Sequence, residues 1–372
     1  MRRAGVARAM DQQGLDGVLI LRPSSVEYLC GHHTVETLPQ PLLAADGRVA
    51  LCVPNAEIGR AWASSCPDEI LHYSPFEDGL ALCVAELANR VPTGARVGIE
   101  VQQHYGVPPR TVELLRAAGL EVVDSEFLVE RLRLVLSTAE ISCVEHAAQI
   151  TGQGIAAIQS HLVAGPGTDS SLASAIRAAL TRDANSMAAF DVVVASGWKG
   201  GVAHSTFSQM PIGSPSVTFL EFAGAHHRYV APVMRTVALG PVPTRARQLE
   251  QYAVQGLAAV LENAKPGVEC REVARAAIRA IGRLPDDVAF HFNFGYPISV
   301  AHPPSWMDGA PFYLVETNSE PLREGMVFHA PMSFRVFGQM GVGLSQTFVV
   351  ESGGTRVLTP GLATIMEIPA AP

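Results

Sequence analysis

The sequence predicts an α/β amino-terminal domain, residues 1–135, followed by an α+β carboxy-terminal domain, residues 136–372, with a pseudo-twofold internal repeat. Three observations point there. At roughly 150 residues per domain, 372 residues divide more naturally into two domains than into one. Helical and strand signals alternate through the first 135 residues. Past Ser137 a helix–helix–sheet unit occurs twice, about a hundred residues apart.

The elements run in order along the chain. Ala4 to Gly14 reads as a short helix, and Gly17-Val18-Leu19-Ile20-Leu21 is an apolar, β-branched run of the kind that becomes a buried strand. Arg22-Pro23-Ser24-Ser25 breaks it. Val49–Val53, Ala95–Glu100 and Leu120–Val123 are further strands, with helices over Leu80–Asn89 and Thr111–Ala118. Ser137-Thr138-Ala139-Glu140 has the Ser-x-x-Glu form of a capping box, and the helix it opens runs to about His161. The turn at Gly165-Pro166-Gly167 then leads into an alanine-rich helix, and the turn at Lys265-Pro266-Gly267 leads into a second, Glu272–Ile281. A pocket between two such halves is a natural place for a site.

Composition removes several classes of function. With 48% hydrophobic and 17% charged residues the chain can bury a sizeable core, which excludes intrinsic disorder. The balance of 27 Lys and Arg against 35 Asp and Glu, without a basic run, argues against a nucleic-acid partner. Apolar stretches such as Val192–Ser196 and Val217–Phe222 are too short to span a bilayer. Asp11, Gln12 and Gln13 arrive before a signal-peptide core could form, so a cytoplasmic location is expected. The six cysteines (Cys30, Cys52, Cys66, Cys83, Cys143, Cys270) show no Cys-x-x-Cys spacing and are read as small buried apolar residues.

Chemically capable side chains concentrate in the second half. A glycine-rich loop, Ser196-Gly197-Trp198-Lys199-Gly200-Gly201, delivers His204. Glu221 stands inside the apolar strand Phe219–Phe222, where burial would raise its pKa towards that of a useful proton carrier. The run from His227 to Thr236 carries Arg228 and Arg235, and the run from Phe294 to Trp306 carries Tyr296, His302 and Trp306. His329 and Gln346 come from two late β-rich segments.

At these residues the sequence resembles the creatinase and Xaa-Pro aminopeptidase superfamily, whose catalytic domain has the pita-bread fold. The resemblance covers nearly the whole chain: Met10–Leu19 and Val26–Gly31 match the family's opening, and Leu132-Arg133-Leu134 with Thr138-Ala139-Glu140-Ile141 match its linker helix. It implies a creatinase-like amino-terminal domain, a pita-bread catalytic domain and a homodimer. Metal-dependent members hold two divalent ions with two aspartates, one histidine and two glutamates. Those positions fall here on Glu221, Pro232, Tyr296, Pro331 or a neighbour, and Ser345 or Gln346. At most one carboxylate remains, so no dinuclear metal centre and no cofactor are expected. The pattern of Glu221, Arg228, Tyr229, Pro232, Arg235 and Thr236, with Tyr296, Ile298, Pro303-Pro304, Trp306, Phe328 and His329, is similar to the metal-free branch and closest to ectoine hydrolase. Met234 stands where creatinase carries a guanidinium-binding glutamate, which argues against creatine as substrate.

The resemblance implies a hydrolase of a non-peptide carbon–nitrogen bond in a small amidine-, guanidine- or cyclic-imine-like molecule. In this reading His204 shuttles a proton and Glu221 is nucleophile or base. Tyr296 and His329 stabilise charge on the substrate. Arg228, Arg235, His302, Trp306 and Gln346 are expected to bind substrate. Each has a plainer competitor. His204 competes with a satisfied structural histidine, His302 with a loop histidine near the surface, and Trp306 with packing of the Pro303-Pro304 turn. Glu221 could pair with Arg228 or Arg235, Arg235 could brace the sheet, and Gln346 could mark lost activity. His226 and His227 are read as turn histidines outside the site. The rival from another class is a catalytically inactive protein whose pocket binds a metabolite or partner, and a metallopeptidase with other ligands is a third possibility.

Overall fold

The computed structural model describes residues 2–34, 38–101, 107–165, 167–183, 186–213, 216–303, 305–307 and 312–369. Pro166 and Pro304, the prolines of two expected turns, lie outside the described residues. The chain divides into two units, Met1–Arg133 and Leu134–Pro372.

The first unit runs α1 (Arg2–Gln13), β1 (Gly17–Ile20), α2 (Pro23–Cys30), β2 (Leu42–Ala45), β3 (Arg48–Pro54), α3 (Ile58–Ser64), β4 (Glu69–Tyr73), α4 (Gly79–Ala88), β5 (Arg96–Ile99), α5 (Pro109–Ala117), β6 (Glu121–Asp124) and α6 (Leu128–Leu132). Its strands form one six-stranded sheet in the order β4-β3-β2-β1-β5-β6. β1 is a continuous apolar run because both its faces are covered: Val18 and Ile20 pack with Val6, Met10 and Leu128, and Leu19 packs with Leu80, Cys83 and Leu115. The Arg22–Ser25 segment ends the strand as expected, but it does not become a loop. Pro23 sits in the first turn of α2, where its missing N–H would be unbonded in any case, and Gly31 closes the helix at φ 82°.

Where β1 and β5 end, a buried carboxylate does the work of a cap. Glu100 Oε2 accepts the Leu21 and Arg22 backbone N–H groups at 2.9 and 2.8 Å. Arg22 is ion-paired to Glu130 at 2.9 Å with both side chains almost wholly enclosed. Desolvation, reinforced by the nearby Glu130 charge and opposed by Arg22, pushes the Glu100 carboxyl up to about 7. The folded state then holds a proton that the unfolded chain releases near pH 4.5, so stability falls as pH rises from the unfolded value through about 7. Glu100→Gln removes the ionisation while its amide oxygen still accepts both N–H groups. At pH 8 the variant is expected to be more stable than the parent by roughly 2–3 kcal/mol and at pH 4.5 nearly equal to it, read by urea unfolding at the two pH values. Equal stability of parent and variant at pH 8 would contradict this.

The second unit runs α7 (Thr138–Ala164), α8 (Asp169–Leu180), β7 (Ser186–Ala188), β8 (Val193–Ser196), a 3-10 turn at Gly197–Gly201, β9 (Ser216–His226), β10 (Tyr229–Leu239), α9 (Thr244–Asn263), α10 (Cys270–Ile281), β11 (Tyr296–Pro297), β12 (Val327–Val336), β13 (Met340–Glu351), β14 (Gly354–Val357) and β15 (Met366–Ile368). The capping box at Ser137 and Glu140 is formed in full. The repeat is a long β hairpin covered by a helix pair, made twice. β9 and β10 put Leu220, Phe222, Val233 and Val237 against Ile150, Ile158, Leu172 and Ile176. β12 and β13 put Phe328, Phe334, Leu344 and Phe348 against Leu249, Leu257, Val273 and Ala277. The first hairpin lies in a sheet ordered β15-β10-β9-β7, with β8 also on β9, and the second in a sheet ordered β11-β12-β13-β14.

The two sheets meet along β10 and β13 through side chains, not through a backbone ladder. Thr236 Oγ1 accepts from Gly343 N at 2.9 Å and donates to Gly343 O at 3.1 Å. Ser345 Oγ accepts from Met234 N at 2.5 Å, and Thr347 Oγ1 donates to Pro232 O at 2.8 Å. All six cysteines are free; Cys66 is exposed and Cys143 half-buried, so burial holds for four of them. Among the described residues no helix is long and apolar enough to cross a membrane.

Candidate functional site

Strand alternation sorts the residues of the second unit into two faces. With Leu220, Val233, Leu344 and Phe348 turned to the helices, the opposite face of β9 and β10 carries Glu221 beside its cross-strand partner Met234. The corresponding face of β12 and β13 carries His329, Pro331, Ser333 and Arg335 next to Gly343, Ser345 and Thr347. Gly343 is the position that leaves room for the Phe219 ring, since a Cβ there would run into it.

On this face a single string of hydrogen bonds is built. Tyr296 pairs with His329 across β11 and β12, and Ser345 stands diagonally opposite His329 on β13. Trp306 Nε1 donates to Tyr296 Oη at 2.7 Å. Tyr296 Oη and His329 Nδ1 are 2.6 Å apart, and His329 Nε2 and Ser345 Oγ are 2.7 Å apart. His329 is wholly buried. Desolvation, aided by the charges of Arg235 and His291, drops its imidazole to about 3, so it is neutral at physiological pH. Tyr296 is held well above the ordinary phenol range by burial and then by the Glu221 charge.

Glu221 faces the string without joining it. Among the described residues its carboxylate makes no hydrogen bond, and burial pushes it up to about 7 against the opposing pull of Arg335. The competing pairing with Arg228 or Arg235 is absent among the described residues, and both guanidinium groups are engaged elsewhere. Arg335 is itself buried, lies 4.8 Å over the Phe219 ring, bonds Ser333 Oγ, and keeps a buried Nε without a partner among the described residues. His204, at φ 55° after the glycine-rich turn, is exposed and makes no contact with the hydrogen-bond string among the described residues.

Several residues expected to meet substrate have other duties. Arg235 and Gln346 lie on the face away from Glu221. Arg235 donates to the carbonyls of Met234 (2.9 Å), Ser345 (2.7 Å) and Pro360 (2.9 Å). Gln346 donates to Gly361 O at 2.9 Å and accepts from Thr359 Oγ1 at 2.5 Å. Arg228, in the left-handed turn of the first hairpin, gives Nε and Nη2 to Ala301 O at 3.0 and 2.6 Å. Trp306 stacks on Phe190 with ring centres 4.1 Å apart, and His302 forms a bridge with Ser305 outside the string. From sequence alone Arg335 and His291 had no place in the site, and Ser345 stood only as a vacated ligand position. Arg335 carried the same signal as Glu221, a charge inside an apolar strand.

Of the five positions at which the resemblance places metal ligands, Glu221 alone offers an anionic oxygen. Pro232 and Pro331 offer no side-chain donor, and the Tyr296 and Ser345 hydroxyls are engaged with His329. Among the described residues of this unit no three carboxylate, imidazole or thiolate side chains converge on one point. The donor set therefore does not fit a pair of divalent ions, which need several anionic or imidazole ligands.

A creatinase-type α/β unit followed by a doubled helix–hairpin unit with its polar face between the halves is the architecture of the creatinase and prolidase hydrolases. The chain belongs to metallopeptidase family M24, which matches residues 142–352, and residues 2–135 match the creatinase/prolidase N-terminal domain. It is 30% identical to the uncharacterized hydrolase/peptidase y4tL of Sinorhizobium fredii over 78% of this chain and 75% of that protein. The ectoine hydrolase of Halomonas elongata is 30% identical over a shorter stretch, 44% of this chain and 40% of that enzyme. The fold superposes on the prolidase of Thermococcus sibiricus with a TM-score of 0.84 at 18% identity, covering 99% of this chain and 98% of that one.

The bracing geometry of Arg235 is directly testable. Arg235→Ala strips a donor from three backbone carbonyls and is expected to lower stability by roughly 3–5 kcal/mol in denaturant unfolding. Arg235→Lys, with one compact ammonium in place of a planar fork, recovers only part of that. Unchanged stability with weakened ligand binding would return Arg235 to the substrate.

Proposed function

We propose that this M24 hydrolase is metal-independent and cleaves a non-peptide carbon–nitrogen bond in a small polar amidine-, guanidine- or cyclic-imine-like molecule. The observation that carries the proposal is Glu221, a buried carboxylate without a hydrogen-bonded partner among the described residues, raised to about 7 and facing a wall of neutral donors. Such a group exchanges a proton near neutrality and can act as base towards water or as nucleophile towards an electrophilic carbon. Tyr296 would place a hydroxyl donor where negative charge develops. The unpartnered Nε of Arg335 suits an anionic group on the substrate. His204, which is exposed, would shuttle the proton as the family resemblance implies. The partial match to an ectoine hydrolase supports a small-molecule substrate over a peptide. A homodimer in the cytoplasm completes the reading.

A binding protein without turnover is the second reading, and the absence of four ligand side chains favours it over a peptidase. Thermal-shift screening of amidines, guanidines and cyclic imines with subsequent product analysis separates the two: binding without conversion supports the second reading.

For a converted compound, Glu221→Gln is expected to lower kcat by about a thousandfold or more. The parent should lose activity as pH falls through about 7, because protonation removes the base. A chelator is expected to leave the rate unchanged. Two equivalents of bound Mn, Zn or Co, with activity that depends on them, would overturn metal independence.

A further inference from the structure

We propose that Ser345 sets the order of protons in the site: its hydroxyl donates to His329 Nε2, so that His329 Nδ1–H donates to Tyr296 Oη and the Tyr296 hydroxyl keeps its proton for the Glu221 side of the pocket. Ser345 is thus a positioning residue acting through His329, and Tyr296 is the donor that meets substrate. The assignment of substrate contact rests on the hydrolase reading.

Counting protons leads to this order. Neutral His329 has one ring N–H, and Tyr296 and Ser345 have one hydroxyl proton each. The two links, Tyr296 Oη with Nδ1 and Nε2 with Ser345 Oγ, use two of the three. One hydroxyl proton is left over, and it sits at one end of the string or the other.

If it sat on Ser345, Oγ would accept from both His329 Nε2–H and Met234 N–H, and the proton would be sealed in. Ser345 is 0% exposed, and no further acceptor reaches its Oγ among the described residues. At the other end, Tyr296 Oη already accepts from Trp306 Nε1–H and stands on the face that also carries Glu221, the nearest charged acceptor on that face though not hydrogen-bonded to it among the described residues. A second N–H from His329 gives the phenol oxygen two donors and turns its own proton towards the carboxylate. Buried hydroxyl protons go where an acceptor is. The same two donors would hold negative charge on the oxygen as the proton leaves.

The test reads the tautomer itself. In protein carrying 15N-histidine, the His329 ring is assigned by its loss in His329→Asn, and two-bond 1H–15N correlations show which nitrogen is protonated. Nδ1–H is expected in the parent. Tyr296→Phe removes the acceptor at Nδ1 and is expected to flip the ring to Nε2–H, which then donates to Ser345. Ser345→Ala is expected to give a mixture of tautomers, and Ser345→Thr to restore Nδ1–H. Nε2–H in the parent, or a ring unmoved by Tyr296→Phe, would overturn the proposal. On a converted substrate Ser345→Ala should lower kcat by about tenfold or more at similar KM. The spectra need no substrate, so failure of the hydrolase reading and failure of this one are told apart.

Discussion

The second unit depends on the seam between β10 and β13. Neither strand pairs with the other through its backbone, and the edge N–H and C=O groups they turn towards each other must still be bonded. Thr236, Ser345 and Thr347 meet that need with hydroxyls, each able to give and to accept, and Arg235 supplies fixed donors from the opposite face. The seam explains how a proline comes to stand in the middle of β10. Met234 directs its N–H at Ser345, and Pro232, two residues earlier, turns its nitrogen the same way, so the missing N–H is taken from the seam and not from the β9–β10 ladder. Its carbonyl remains useful, as the acceptor of Thr347.

A seam made of neutral hydroxyls fixes the electrostatics of the face beside it. Several carboxylates in one enclosed place repel one another and resist desolvation unless cations hold them. With prolines at 232 and 331, a phenol at 296 and a hydroxyl at 345, this chain has removed the repulsion along with the donors. Glu221 is left as one acid in a low-dielectric setting, and its raised pKa comes from burial. Arg335 tempers the shift without cancelling it, because the two charges act across a gap and form no ion pair.

Much of this architecture was legible in the sequence because it rests on short-range rules. The capping box at Ser137, the two Pro/Gly turns and the apolar hairpin strands are local signals, and their repetition conveyed the doubled unit. Helix α2 was not legible, since Pro23 reads equally as a strand breaker and as a helix start, and the choice between them is made by tertiary packing. Glu221, Tyr296 and His329, chosen by type and order, come to lie on one face of the second unit. Arg235 and Gln346 were misread because family position says nothing about which face a side chain takes; only the register of β10 and β13 places them with Pro360 and Gly361. Ser345 was given no role beyond a vacated ligand position for a related reason. A serine has no chemical signature until an imidazole 2.7 Å away gives it one.

The division of labour within the site is set by burial. His329 has the side chain most often found as a base, yet an imidazole wholly enclosed, beside a guanidinium and held low near 3, has little affinity for a proton. It can transmit the orientation of a hydrogen bond from Ser345 to Tyr296, which requires only that it stay neutral and keep one N–H. Glu221 is in the reverse position: the same desolvation that weakens an imidazole as a base strengthens a carboxylate, because it disfavours the charged form of each. Under the proposed hydrolase reading, burial would thus move the basic function from the histidine to the acid. The face reads as a carboxylate that takes protons opposite a string that can only present one.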